Sequence, residues 1–133
     1  MTAIGDAVRK VLLDNAAISA LVGNRIYTLI LPQNPILPAI VFNKLGETII
    51  TDSDIAGLGR VFKADFQFES WSDSKSKSDN LAEKIRLCLQ GYSGISLTVK
   101  IYGVIFAFES DNFESEINNY RIISRYEIIY KRV

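Results

Sequence analysis

The stretch from Arg60 to Trp71 constrains the fold more than any other part of the chain. Phe62, Ala64, Phe66 and Phe68 alternate there with Lys63, Asp65, Gln67 and Glu69. A period of two puts the apolar set on one face of a β-strand and the polar set on the other. One face must then be buried and the other wetted, the signature of an antiparallel sheet covered on one side only. Asn119 to Lys131 repeats the pattern, with Tyr120, Ile122, Tyr126, Ile128 and Tyr130 set against Arg121, Arg125, Glu127 and Lys131. The buried face of two such strands needs a second layer, sheet or helix, to close its core.

That layer is readable. Ile4, Val8, Val11 and Leu12 form one apolar stripe and predict a helix over 3–14, with Thr2 as its N-cap. Asn15 caps a short second helix, Ala16 to Val22, stopped by Gly23. Ser72 is the expected cap of the longest helix, Asp73 to Gln90, which Gly91 ends. Its inward stripe is Ser78, Leu81, Ala82, Ile85, Cys88 and Leu89, and Lys75, Lys77, Asp79, Glu83, Lys84 and Arg86 make a solvated face.

Three more strands complete the reading: Arg25 to Leu31, Ala39 to Leu45, and Ile95 to Glu109 with a bulge at Gly103. Pro32, Pro35 and Pro38 make the connection between the first two stiff and extended. The expected order is α-α-β-β-β-α-β-β, a single α+β domain over residues 1–133 with a mostly antiparallel sheet, one long helix and two short N-terminal helices. The longest uncharged stretch, Ile26 to Asn43, holds all three prolines and is no membrane span. Met1 to Lys10 carries Asp6 and no long apolar run, so no signal peptide is expected. With one cysteine, Cys88, there is no intramolecular disulfide, and a soluble cytoplasmic chain is the expectation.

Charge is balanced, with 15 Lys+Arg against 15 Asp+Glu, which argues against general affinity for nucleic acid or anionic membrane. The balance is not even along the chain. Residues 46–59 and 109–118 read as protruding acidic loops without a base, carrying Glu47, Asp52 and Asp54 in the first, where Thr48-Ile49-Ile50-Thr51 could also pair as a strand of a protruding hairpin, and Glu109, Asp111, Glu114 and Glu116 in the second. Residues 119–133 carry Arg121, Arg125, Lys131 and Arg132 against Glu127. These are either ordinary solvated surface or complementary faces of neighbouring subunits, where opposite charges set register. Trp71 is either a packing residue at a sheet end or an interface anchor.

No catalytic set emerges. The chain has no histidine, which removes Ser-His-Asp and Cys-His nucleophile pairs, imidazole bases and His-ligated zinc. Gly57-Leu58-Gly59 precedes a strand and not a helix N-terminus, so it is no phosphate loop. Asp52 and Asp54 have only Glu47 nearby as a further metal ligand. Ser74, Ser76 and Ser78 with Lys75 and Lys77 are polar first turns of a helix. Apolar neighbours Leu87 and Leu89 make Cys88 a buried, inert thiol. No catalytic residue, metal or cofactor is expected.

Four segments together resemble a known family: Ile18-Ser19-Ala20-Leu21-Val22-Gly23-Asn24-Arg25-Ile26-Tyr27; the proline loop into Leu37-Pro38-Ala39-Ile40-Val41-Phe42; Phe66-Gln67-Phe68-Glu69-Ser70-Trp71 running into Asn80-Leu81-Ala82-Glu83-Lys84-Ile85; and Tyr120 to Tyr130. Their order and spacing are similar to those of the tail-completion, or tail-to-head joining, proteins of long-tailed bacteriophages and prophages. The resemblance covers nearly the whole chain and implies a tail-terminator-like α+β fold. It further implies a self-assembled, hexameric ring in the virion neck, assembled in the bacterial host cytoplasm. The implied partners are the head connector and the tail tube, with DNA passing through the lumen unbound, and no membrane. Interface candidates are Glu47, Asp52, Asp54, Trp71, Glu109, Asp111, Glu114, Glu116, Arg121 and Arg125. Two other readings stand beside it: a non-catalytic protein- or ligand-binding α+β module, and an enzyme working through Asp52, Asp54 or Asp65.

Overall fold

The computed structural model describes residues 3–51, 60–115 and 119–132. Thr2, the expected first cap, lies outside them. Helix α1 spans Ile4–Asp14 and buries Ile4, Ala7, Val8, Val11 and Leu12, with Ala3 at its N-cap and no side-chain cap. Helix α2 spans Ala16–Val22, and the Asn15 side chain accepts a hydrogen bond from the Ile18 amide at 3.1 Å, the cap expected of it. Gly23 ends α2 at φ 59°, a left-handed conformation cheap for glycine.

Six strands follow the helices or interleave with them: β1 Ile26–Thr28, β2 Ala39–Thr51, β3 Arg60–Ser72, β4 Gly94–Ser96, β5 Val99–Glu114 and β6 Asn119–Arg132. They make one sheet in the order β1-β2-β3-β6-β5-β4. Among the described strands only the β1–β2 pair is parallel. Helix α3, Lys75–Leu89, lies between β3 and β4 in sequence. The α+β class and the mostly antiparallel sheet hold as read from sequence.

The core sits between the helices and one face of the sheet. Register places Phe42 opposite Phe68 and Phe66 opposite Tyr126, so their side chains share that face. Phe68 packs edge-on against Tyr126 at 5.5 Å between centroids and stacks on Phe42 at 5.8 Å. Leu81, Ile85 and Leu89 of α3 are completely or almost completely buried above them. Long-range hydrogen bonds fasten the helices: Ser96 Oγ donates to the Ala7 carbonyl at 2.7 Å, and Arg9 Nε to the Ile26 carbonyl at 3.0 Å.

Several boundaries differ from the sequence reading, each for a local reason. The N-cap of α3 is Ser74, whose side chain accepts from the Lys77 amide at 3.2 Å. Ser72 cannot cap, because it is still paired in β3 opposite Tyr120. The single strand expected over Ile95 to Glu109 is two strands. Leu97 and Thr98, at φ 46° and 72°, turn the chain back so that Ser96 pairs with Val99. Such a two-residue turn usually announces itself with Asn-Gly or Asp-Gly, and neither is present. The bulge expected at Gly103 is there, between Ile101 and Gly103.

The expected acidic loops are corrected most. Gly46–Thr51 continues β2 and Glu109–Glu114 continues β5. Long neighbours make this possible, since β3 and β6 offer backbone partners along their whole lengths. Residues 52–59 and 116–118, the rest of those stretches, lie outside the described residues. β1 is also shorter than expected: Leu29 adopts φ 71° and leaves the strand.

Candidate functional site

The face of the sheet that carries no helix is where the predicted residues gather. Alternation along β3 points Lys63, Asp65, Gln67, Glu69 and Trp71 to that side, and pairing adds Arg121, Arg125 and Glu127 from β6. A bulge between Phe106 and Phe108 shifts β5 by one residue, so that Phe108, Ser110, Asn112 and Glu114 join this face and Glu109, Asp111 and Phe113 turn to the other. A second bulge, between Lys44 and Gly46 of β2, falls at the same level of the sheet. Between them lies an open depression of about 350 Å³ lined by Leu45, Asp65, Ala107, Arg125 and Glu127 among others.

At one end of this face Trp71, Arg121 and Glu114, all singled out from sequence, meet. Arg121 Nη1 donates to Glu69 Oε1 at 2.9 Å, and Nη2 pairs with Glu114 Oε1 at 2.6 Å. The same guanidinium lies over the Trp71 ring, 5.3 Å from its centroid. Trp71 and Glu69 are buried although no helix covers them, and Arg121 keeps only 25% of its side chain exposed. Trp71 Nε1 and Arg121 Nε, both buried, find no acceptor among the described residues. Glu69 is the member that sequence reasoning missed. Its signal was its place two residues before Trp71, hence on the same face.

The other candidates are dispersed. Arg125 lies over the Phe108 ring at 5.3 Å and donates to Gln67 Oε1 at 3.3 Å. Asp111 pairs with Lys75 at 3.3 Å, whose ammonium is held in its charged form first by Asp79 and then by Asp111. Glu109 accepts from Ser124 Oγ at 3.4 Å. Glu47 accepts from the Tyr130 hydroxyl and pairs with Lys44 at 3.7 Å. Asp52, Asp54 and Glu116 lie outside the described residues. The acidic segment 109–114 and the basic strand are therefore sheet neighbours, and part of their charge is paired within the chain.

Midway along the bare face, Asp65 stands directly opposite Glu127. Such like-charge pairs repel, and Lys63 relieves this one by pairing with Glu127 at 3.0 Å, which raises the lysine's pKa. Cys88 is half-buried, and burial pushes its thiol up, against a smaller opposing effect of Asn15. A raised thiol is a poor nucleophile, in keeping with the inert cysteine expected. Among the described residues no group of three His, Cys, Asp or Glu side chains is placed to hold a metal ion. No described helix is long and apolar enough to cross a membrane.

A chain of a solved structure described as the virion of a native gene transfer agent (GTA) particle superimposes with a TM-score of 0.72, covering 98% of this chain and 96% of that one. At 19% identity the likeness is one of fold. No curated protein matches the sequence. A family model for tail completion protein gp17 matches residues 6–131. The chain belongs to that family and is a phage tail structural protein.

Proposed function

We propose that this protein closes into a ring, a hexamer, that completes the tail of a long-tailed phage or prophage and joins it to the head connector. The ring is assembled in the host cytoplasm and carried in the neck of the virion. It works by shape and needs no catalytic step and no cofactor. The observation that carries this reading is the family match over residues 6–131. The bare, charged sheet face adds to it, since such a surface can line a passage or meet a partner ring. Four acids of that face, Asp65, Glu69, Glu114 and Glu127, stand against five bases, Lys63, Lys100, Arg121, Arg125 and Lys131, a nearly even balance. A lumen of that balance would let DNA pass without holding it. The contacts to neighbours and partner rings are assigned to Glu47, Asp52, Asp54, Trp71, Glu109, Asp111, Glu114, Glu116, Arg121 and Arg125.

The test mixes the protein with purified tail tubes and head connectors and follows it by native mass spectrometry and negative-stain microscopy. Rings at the tube end, and tails that join heads only when the protein is supplied, are expected. A chain that stays monomeric at high concentration even with both partners present would overturn the reading.

A further inference from the structure

Both sides of the sheet are left open over long runs. β1 pairs with β2 only as far as Thr28 opposite Phe42, and the Leu29 amide bonds to the Phe42 carbonyl. No described strand pairs with that side of β2 beyond this point. β4 pairs with β5 only over Val99–Ile101, and the Gly91 amide caps the Val104 carbonyl. No described strand covers that side of β5 from Ile105 to Glu114. Ladder alternation turns the backbone groups of Lys44 and Ile49 out from β2, and those of Phe106, Glu109, Asp111 and Phe113 out from β5. An open edge of this kind is a template for another chain, and natural proteins usually shorten or shield it. Here the edges also carry exposed apolar side chains, among them Ile49 at 46% and Phe108 at 47%.

We infer that the β2 edge of one copy pairs with the β5 edge of the next, so that the sheet runs continuously around the ring. Three observations select this occupant. The first is direction. β5, β6, β3 and β2 alternate strictly, so rotation about an axis along the strands sets β2 antiparallel to the next copy's β5. The second is charge. The open run of β5 holds Glu109, Asp111 and Glu114 and no base, whereas the open run of β2 is neutral, its one acid Glu47 offset by Lys44. Pairing β5 with a second β5 about a two-fold axis would set two acidic runs together, so a head-to-tail contact is favoured over that dimer. The third is position. The two short cover strands sit at opposite ends of the sheet, and Asn43 stands level with Gln67, Arg125 and Phe108. The open runs already overlap there, and an offset of about four residues, of the kind strand tilt imposes on a closed sheet, brings them together along their length.

This mode of closure rests on the ring proposed above, and its test separates the two. Ile49→Pro and Asp111→Pro each remove an outward amide from an edge, where proline is tolerated in the monomer. Both variants are expected to fold, by unchanged monomer circular dichroism, and to form no rings under conditions where wild type, Ile49→Val and Asp111→Asn do. Amide exchange of the wild-type ring is read alongside: the amides of Lys44, Ile49, Phe106, Glu109, Asp111 and Phe113 are expected to slow on the order of a hundredfold relative to the monomer. Proline variants that close normally, or rings in which those amides exchange as in the monomer, would overturn edge pairing and leave the ring standing. If a proline variant unfolds, the exchange measurement decides alone. Wild type that forms no ring with tubes and connectors sinks both.

Discussion

The two faces of the sheet are built from the same strands and obey different physics. On the helix side, Phe66, Phe68, Tyr126 and Ile128 are almost completely buried and held by shape. On the bare side, Lys63 with Glu127 and Arg125 with Gln67 are held by pairings that water competes with. The bare face is also divided against itself. Its middle is wet, while its end around Trp71, Glu69 and Arg121 is nearly as buried as the core. Burial without a helix overhead marks that end as the part of the surface where charge geometry matters for stability.

Four single substitutions and one double bear on this contrast, the singles taken from the largest effect to the smallest. Phe68→Ala empties the centre of the aromatic cluster and should cost about 3–5 kcal/mol, read as a fall in the denaturant midpoint. A loss under about 1 kcal/mol would mean the core is not where the packing places it. Arg121→Met strands the buried Glu69 carboxylate and frees Glu114, and should cost about 1–3 kcal/mol. Adding Glu69→Gln should recover part of that loss. If Arg121→Met proves as mild as an exposed charge deletion, the two ends of the bare face are alike after all.

Tyr126→Phe tests the covered face by pH. The Tyr126 hydroxyl is buried with no partner among the described residues, and burial, reinforced by Glu109, pushes its pKa far above the ordinary 10.0. The folded state thus keeps the phenol neutral while the unfolded chain ionises it. That stability is present in full below about pH 10 and is lost as pH climbs above it. The variant should match wild type near neutrality and fall less steeply between pH 9 and 11, a range set by about one unit either side of the free phenol. Equal slopes would mean that the hydroxyl reaches solvent. Smallest of all, Lys63→Ala removes a half-exposed ammonium from its pair with Glu127 and should move the midpoint only slightly in physiological salt.

Legibility followed the range of the forces involved. Alternation in Arg60 to Trp71 and in Asn119 to Lys131, the stripes of α1 and α3, and the Asn15 cap are local, and they were read correctly. The left-handed turn at Leu97 and Thr98 was not, because neither residue advertises it. Nor was the strand extension through Glu109–Glu114, and of Gly46–Thr51 only the pairing of Thr48 to Thr51 was open from sequence; the acids there are poor strand formers on their own. Backbone partners along β3 and β6 outweigh that preference, and partners distant in sequence leave no local trace.

The candidate site divides the same way. Sequence picked Trp71, Glu114 and Arg121 as residues worth watching and laid acidic runs against a basic strand. It could not place Glu69 beneath Arg121, since that contact spans 52 positions. It could not foresee that the bulge in β5 would swing Glu114 onto the bare face and Asp111 off it. One residue of slip reverses every side chain beyond it. By itself the sequence determined which side chains are apolar and at what period, hence a one-sided sheet under helices. Tertiary structure alone decided which charges meet and which strand edges stay open, because register is set by all the strands at once.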